Sequence, residues 1–154
     1  MPDNHAAAEV ERLLREAARD VLETMFFATV AEGAVGEPLA EAHLATRLRF
    51  RGAPPGEFRL RISRDAAQAI ATAFSGRENE SDLAPGEVEQ VLCELTNVIC
   101  GAVLSRLEKD TTFELESPEA LAPAPGEAPV SGVHCPLWLD CGRLDVWLRL
   151  ETDS

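Results

Sequence analysis

The chain has 154 residues and a mass of 16.7 kDa, so we predict a single domain over residues 1–154. Apolar residues make up 45% of the sequence and charged residues 27%, which excludes a disordered, collagen-like or membrane-embedded chain. The 27 acidic side chains outnumber the 14 basic ones and give a net charge of −13. Because such a molecule repels phosphate backbones and anionic lipids, we expect no nucleic acid and no membrane as partner.

The amino-terminal residues lack the pattern of an export signal. They are polar and quickly become acidic, without the basic and apolar regions that a secretory signal needs. The uninterrupted apolar runs are also much shorter than the roughly 20 residues that cross a bilayer. We therefore expect a cytoplasmic protein whose four cysteines remain free thiols in a reducing compartment.

The first half of the chain is predicted to contain two helices and a hairpin. Apolar residues at three- and four-residue spacing predict an amphipathic helix over residues 7–27. Over residues 44–62 the apolar period changes to two, and the glycines and prolines of residues 52–56 predict a turn between two strands. Ser63 is a typical N-cap for a second helix that ends near Phe74.

The second half is predicted to contain one long helix and three strands. The helix covers residues 86–107 and a strand follows at residues 111–116. Residues 118–131 are rich in proline and predict a loop without regular structure. Two final strands, residues 135–140 and 143–150, are separated by a tight turn.

These elements predict an α+β fold in which a mainly antiparallel sheet carries two long helices on one face. Both halves open with a long helix and continue into paired strands, which indicates a possible internal pseudo-repeat. In a local alignment of the two long helices with an offset of one residue, Glu23 corresponds to Glu94 and Phe26 takes the position of Asn97.

The third helix has an apolar face and a polar face. The apolar face is expected to pack on the core and consists of Val88, Val91, Leu92, Leu95, Val98, Ile99, Ala102 and Val103. The polar face consists of Gln90, Glu94, Asn97, Gly101 and Ser105.

Three parts of the sequence carry a family resemblance. The segment from Glu94 through Asn97 to Gly101, the strand-to-helix junction at residues 60–63 and residues 23–25 of the first helix resemble the CheC/CheX/FliY family of chemotaxis phosphatases. The single Glu-x-x-Asn motif makes the chain most similar to CheX. The resemblance implies a CheC-like fold, a homodimer and hydrolysis of the aspartyl phosphate on a phosphorylated CheY-like response regulator. It implies no cofactor in the chain itself, because the regulator supplies Mg²⁺.

The resemblance also implies residue roles. Asn97 is the catalytic residue that positions water, and its amide suits this role because it offers a donor and an acceptor without a charge. Glu94 is the second catalytic residue and anchors a lysine of the regulator. Gly101, Ser105 and Gln90 are expected to contact the partner, although Gln90 stands where the family often has Asp or Ser. With Phe26 in place of a second asparagine, we expect one site per chain.

Two other functions remain open from the sequence. A non-catalytic CheX-like adaptor would bind a receiver domain or a motility assembly without hydrolysis, and Gln90 is compatible with that alternative. A metal-binding protein would use cysteine and histidine, since Cys93 and Cys100 share a helix flank and Cys135 follows His134. The absence of any Cys-x-x-Cys pair makes half-buried free thiols the better interpretation.

The predicted hairpin has an arginine-rich face. The residues on this face are Arg47, Arg49, Arg51, Arg59 and Arg61. One interpretation is a solvated sheet surface with cross-strand acidic partners such as Glu57. The other is an interface that attracts acids, formed with a second copy of the chain or with an acidic receiver domain.

Overall fold

The computed structural model describes residues 4–31, 43–52, 55–107, 112–121 and 132–151. These residues contain three α-helices, α1 (Asn4–Met25), α2 (Arg64–Phe74) and α3 (Glu87–Leu107), and a short 3₁₀ turn at Glu80–Asp82. They also contain six strands: β1 (His43–Arg51), β2 (Gly56–Ser63), β3 (Glu114–Leu115), β4 (Glu119–Leu121), β5 (Val133–Leu139) and β6 (Gly142–Leu150).

The six strands form one antiparallel sheet in the order β3-β1-β2-β6-β5, and β4 also pairs with β1. Strand residues alternate between a buried face and an open face, so the buried face can carry a continuous apolar layer. Fully buried members of that layer include Leu48, Phe58, Ile62 and Val146. With α1 and α3 packed on each other and on this layer, the predicted α+β arrangement with two long helices on one face is confirmed.

The region after α3 differs from the prediction. The strand expected at residues 111–116 is only Glu114–Leu115 within the described residues, and residue 111 lies outside them. The loop expected at residues 118–131 contains β4, which pairs with residues 45–47 of β1, while residues 122–131 lie outside the description. Because Pro118 precedes β4 at the edge of the sheet, its missing N–H costs no ladder hydrogen bond and a short strand can form.

The pseudo-repeat stays a prediction. Both halves begin with a long helix, α1 or α3, and both contribute strands to the same sheet. In the first half α2 follows the hairpin, whereas the described residues of the second half contain no helix after their strands.

The start of α2 shows how Ser63 acts. Ser63 has the extended backbone of an N-cap, as predicted, but its side chain makes no capping hydrogen bond. Its hydroxyl oxygen accepts the backbone N–H of Arg143 at 3.3 Å instead. The serine therefore ties β6 to the junction between β2 and α2.

Helix α3 is the most apolar long element of the described chain. By length and composition alone, this helix could cross a membrane, with a mean hydropathy of 1.3 over its most apolar window. Eight of its residues are buried against the other helices and the sheet: Val91, Leu92, Leu95, Thr96, Ile99, Cys100, Val103 and Leu104. A core helix of a folded domain has the same composition, so the hydropathy of α3 has a sufficient explanation in its packing.

Four of the five hairpin arginines have acidic partners. The guanidinium of Arg47 pairs with Glu119 from β4, and Arg51 lies 3.9 Å from Glu116. Glu57 on β2, 9% exposed, receives Arg59 at 2.7 Å and Arg49 at 3.6 Å. These contacts favour the interpretation of this face as a sheet surface with its own cross-strand partners.

A buried hydrogen bond joins α3 to β1. The hydroxyl oxygens of Thr46 and Thr96 lie 2.5 Å apart, and both side chains are almost completely buried. The Thr96 hydroxyl donates to the carbonyl oxygen of Leu92 at 2.7 Å, so the Thr46 hydroxyl must be the donor to Thr96. This contact fixes the rotation of α3 about its own axis relative to the sheet.

We predict that Thr96→Val destabilises the fold more than Thr46→Val. The first change leaves the buried hydroxyl of Thr46 without an acceptor and costs about 1–3 kcal/mol, whereas the second leaves Thr96 its bond to Leu92 and costs about 1 kcal/mol. Urea unfolding followed by circular dichroism measures both values.

The double variant Thr46→Val/Thr96→Val is the control for this pair. Because it removes both partners at once, its cost should be smaller than the sum of the two single changes. Strictly additive costs would show that the two hydroxyls do not interact.

Candidate functional site

The turn that leads into helix α3 is fixed by a glycine and by a hydrogen bond to a carboxylate. Gly86 adopts a φ of +82°, a value that favours glycine, immediately before the first helical residue. The Glu87 carboxylate accepts the backbone N–H of Ala84 at 2.8 Å, and this bond is the main cause that lowers the pKa of Glu87. At the other end, Arg106 donates to Asp20 of α1 at 2.7 Å. Both ends of α3 are therefore held in place.

The predicted catalytic residues share one groove. Glu94 and Asn97 stand three positions apart on α3, a spacing that places both side chains on the same face of a helix. They line a groove of about 710 Å³ together with Gln90, one turn before Glu94. Gln90 and Glu94 are exposed, whereas Asn97 is half-buried. The groove is therefore open to solvent, with the amide of Asn97 in its more protected part.

Two predicted partner-contacting residues lie outside the groove lining. Among the described residues, a Cβ added to Gly101 would meet Leu115, at an ordinary distance of 4.0 Å. The packing of the described part of the chain therefore does not require a glycine there. Ser105 is exposed near the end of α3, and its hydroxyl donates to the carbonyl oxygen of Ala102 at 2.9 Å. Both residues stay predicted docking positions beyond the groove.

The opposite side of the groove was not predicted from the sequence. It is formed by Leu115, Glu116, Ser117, Pro118 and Ala120, which follow β3 and enter β4. The strand pairing that brings this segment beside α3 joins residues far apart in the chain. Glu89 and Cys93 complete the α3 side and were also missed, although helical spacing from Gln90, Glu94 and Asn97 could have found them.

The carboxylates of the groove are mostly uncompensated. Among the residues that the structure describes, Glu89 and Glu94 have no basic group within 4.0 Å. Glu116 has Arg51 at 3.9 Å, and both side chains are exposed. A basic group of a partner can therefore bind at Glu94 on α3 or at Glu116 on the opposite side of the groove, and the neutral amide of Asn97 lines the same groove.

The cysteines do not form a metal site in the described part of the chain, where no three of the metal-binding side chains His, Cys, Asp and Glu come together. Burial raises the pKa of Cys100 to about 12 and that of Cys135 to about 11. His134 and Cys135 are neighbours on β5 and project from opposite faces of the sheet, because side chains alternate along a strand. His134 instead bonds to Asp145 at 2.7 Å.

The residue that corresponds to Asn97 in the first half, Phe26, directly follows α1 and is part of the core. Phe26 is fully buried and stacks on Phe74 with a ring distance of 4.6 Å. The carboxylate of Glu23 accepts the backbone N–H of Val30 at 3.2 Å and lies 3.6 Å from Arg19. Glu23 therefore has structural partners, and the residue three positions after it is a buried phenylalanine instead of an amide.

The same fold occurs in solved chemotaxis proteins. CheX from Desulfovibrio desulfuricans is 21% identical with a TM-score of 0.73, covering 93% of this chain and 99% of that chain. CheX from Vibrio vulnificus is 17% identical with a TM-score of 0.73, covering 94% of this chain and 98% of that chain. A chain of the CheX–CheY–BeF3–Mg²⁺ complex from Borrelia burgdorferi is 18% identical with a TM-score of 0.71, covering 92% of this chain and 97% of that chain. The fold is therefore the CheC-like fold of chemotaxis phosphatases.

The sequence identifies the family within that fold. Residues 44–141 match the family described as chemotaxis phosphatase CheX, and the chain belongs to this family. The matched region includes β1 from its second residue onward, with Thr46, and all of α3 with Glu94 and Asn97. The comparison with curated proteins gives no match.

We predict that an alkylating reagent labels Cys93 but not Cys100 in the native protein. Cys93 lines the groove and is partly exposed, whereas Cys100 is fully buried on the same helix. Burial, with a contribution from Glu89, raises the pKa of the Cys93 thiol. Its thiolate fraction is therefore small at neutral pH, and labelling should accelerate as the pH rises.

Mass spectrometry of tryptic peptides assigns the labelled cysteine. Labelling in denaturant is the reference, because all four thiols are then accessible. Equal labelling of Cys93 and Cys100 in the native protein would contradict the orientation of α3.

Proposed function

We propose that this chain accelerates hydrolysis of the aspartyl phosphate on a CheY-like response regulator. The observation that carries the proposal is the shared groove position of Glu94 and Asn97 on α3. The membership in the CheX family and the fold shared with a chain of a CheX–CheY–BeF3–Mg²⁺ complex support it.

The reaction needs little from the phosphatase because an acyl phosphate is already reactive. A water oxygen attacks the phosphorus, the bond from phosphorus to the aspartyl oxygen breaks, and the products are inorganic phosphate and the free carboxylate. The regulator's own Mg²⁺ neutralises the charge that develops on the phosphoryl oxygens. The helper protein therefore has to position the water, which is a matter of geometry.

Asn97 suits the task of positioning the water. Its amide oxygen can accept a hydrogen bond from the attacking water while its NH₂ group donates to a phosphoryl oxygen. The half-buried position in the groove limits the rotation of the side chain. Because the amide is neutral, it does not repel the anionic phosphoryl group.

Glu94 is proposed to anchor the regulator. Its carboxylate is exposed and has no basic partner among the described residues, so a lysine of the receiver domain can reach it. Such a charge-assisted contact fixes the regulator while Asn97 reaches the phosphoryl group. The chain needs no cofactor of its own in this scheme.

The setting of this reaction is also a proposal. Chemotaxis regulators act in the cytoplasm, and we propose that this chain acts there as a homodimer, as the resemblance to CheX implies. Sedimentation of the purified protein tests the oligomeric state.

A non-catalytic adaptor is the second candidate. Gln90, which lines the groove one turn before Glu94, is the observation that favours it, because the family often has Asp or Ser at that position. An adaptor would bind a receiver domain without changing the lifetime of its phosphoryl group. The two functions therefore differ in a single measurement, the decay of phosphorylated regulator with and without this protein.

We predict that the Asn97→Ala variant no longer accelerates hydrolysis of the aspartyl phosphate on the regulator. Removing the group that orients the water should lower the rate by about 100-fold or more, as for other positioned hydrogen-bonding groups. The side chain is not in the core, so the folded structure should persist. Loss of radioactive phosphate from the regulator measures the rate.

Gln68→Ala is the matched control for Asn97→Ala. It removes an amide side chain from α2, outside the groove, and should leave the rate unchanged. Asn97→Ala with a wild-type rate would refute the proposed chemistry. A wild-type protein that binds the regulator without shortening its phosphorylated lifetime would identify the adaptor.

We further predict that Glu94→Gln weakens binding more than it slows the saturated reaction. The substitution keeps the shape and removes the charge that pairs with the receiver's lysine, which should cost about 1 kcal/mol or more of binding. Rates measured over a range of regulator concentrations separate KM from kcat. A change in kcat alone would assign Glu94 to the chemical step.

A further inference from the structure

The groove has a second wall that the proposed chemistry does not use. We call it the outer wall, and it consists of Leu115, Glu116, Ser117, Pro118 and Ala120. It faces α3 across the groove. A protein that reaches Asn97 through this groove comes close to both walls.

The outer wall is fixed by the sheet. Leu115 pairs with Phe50 of β1, and the backbone N–H of Glu116 donates to the carbonyl oxygen of Arg49 at 2.8 Å. Ala120 pairs with Thr46, the residue that also bonds to α3. Strand β1 is therefore the common base of both walls and sets the width of the groove.

The two walls carry charge of the same sign. Glu116 stands on the outer wall, while Glu89 and Glu94 stand on α3. An acyl phosphate that approaches these carboxylates is repelled unless cationic groups lie between them. A partner that fits this groove therefore carries basic side chains beside its phosphorylated site, on the side of the outer wall as well as on the side of α3.

We propose that the outer wall contacts the docked regulator and that Glu116 binds a basic side chain of that regulator. This inference rests on the proposed function and adds the feature that selects the partner. Glu116 lies 3.9 Å from Arg51, and this ion pair is weak because both side chains are exposed to solvent. Replacing Arg51 by a basic side chain of the regulator as the partner of Glu116 therefore costs little free energy. Glu116 acts on affinity and selection, whereas Asn97 acts on the reaction.

The neighbouring Glu114 provides a matched control. It lies two residues before Glu116, is exposed and does not line the groove. Glu116→Lys and Glu114→Lys change the net charge of the chain equally and at nearly the same place. Any difference between them therefore reports a local contact, because long-range electrostatic effects are common to both.

The experiment is a titration of the regulator, activated with beryllofluoride and Mg²⁺, with each protein. Glu116→Lys should weaken binding by about tenfold, since an attraction is replaced by a repulsion, and Glu114→Lys by less than about twofold. The decay rate of the phosphorylated regulator at saturating protein should be the same for both variants and the wild type. Thermal unfolding confirms that both variants are folded.

The outcomes separate this inference from the proposed function. Equal effects of the two substitutions on binding, or none from either, would overturn the role of Glu116 while the wild-type protein still shortens the lifetime. A wild-type protein that binds but does not shorten the lifetime would overturn the phosphatase and leave the binding comparison decisive for Glu116. Absence of any binding by the wild type would overturn both.

Discussion

The structure depends on the orientation of α3, because one face of this helix packs in the core and the other face lines the groove. Thr96, fully buried, and Asn97, half-buried in the groove lining, are consecutive residues. The hydrogen bond from Thr46 to Thr96 therefore fixes the direction in which Asn97 projects. Turning the helix by a single residue position would bury the amide or carry it away from the groove, and it would expose apolar surface at the same time. The burial of the apolar face and the proposed role of Asn97 therefore require the same orientation of α3.

Local patterns explain why much of this arrangement could be predicted from the sequence. The helical period places Glu94 and Asn97 on the polar face of α3, and the period of two identifies the hairpin and the last two strands. The outer wall could not be predicted in the same way. Strands β3 and β4 have two and three residues, too few for a period to show, and they exist because β1 offers a free edge. Pairing across more than 60 residues is a tertiary effect that overrides the local proline content.

The face of the sheet opposite the helices is covered by contacts among its own side chains. Asp145, 2% exposed, accepts bonds from His134 at 2.7 Å and from Arg143 at 3.0 Å, and the His134 ring stacks on Trp147. Four of the five hairpin arginines are also paired with acids. Most of the opposite charges on this face are therefore matched within the described part of the chain. Glu89 and Glu94 line the groove and have no such basic partner among the described residues. Their negative charge therefore remains available to a binding partner.

The distribution of charge within the groove follows from the cost of burial. A carboxylate at the half-buried position of Asn97 would lose more hydration than an amide and would repel a phosphoryl group directly. An amide at that position supplies directed hydrogen bonds without either penalty. The exposed positions of Glu94 and Glu116 keep their carboxylates hydrated. A neutral amide at the half-buried position and carboxylates at the exposed positions are what the proposed reaction needs, since the phosphoryl group is an anion and the proposed contacts of the regulator are cationic.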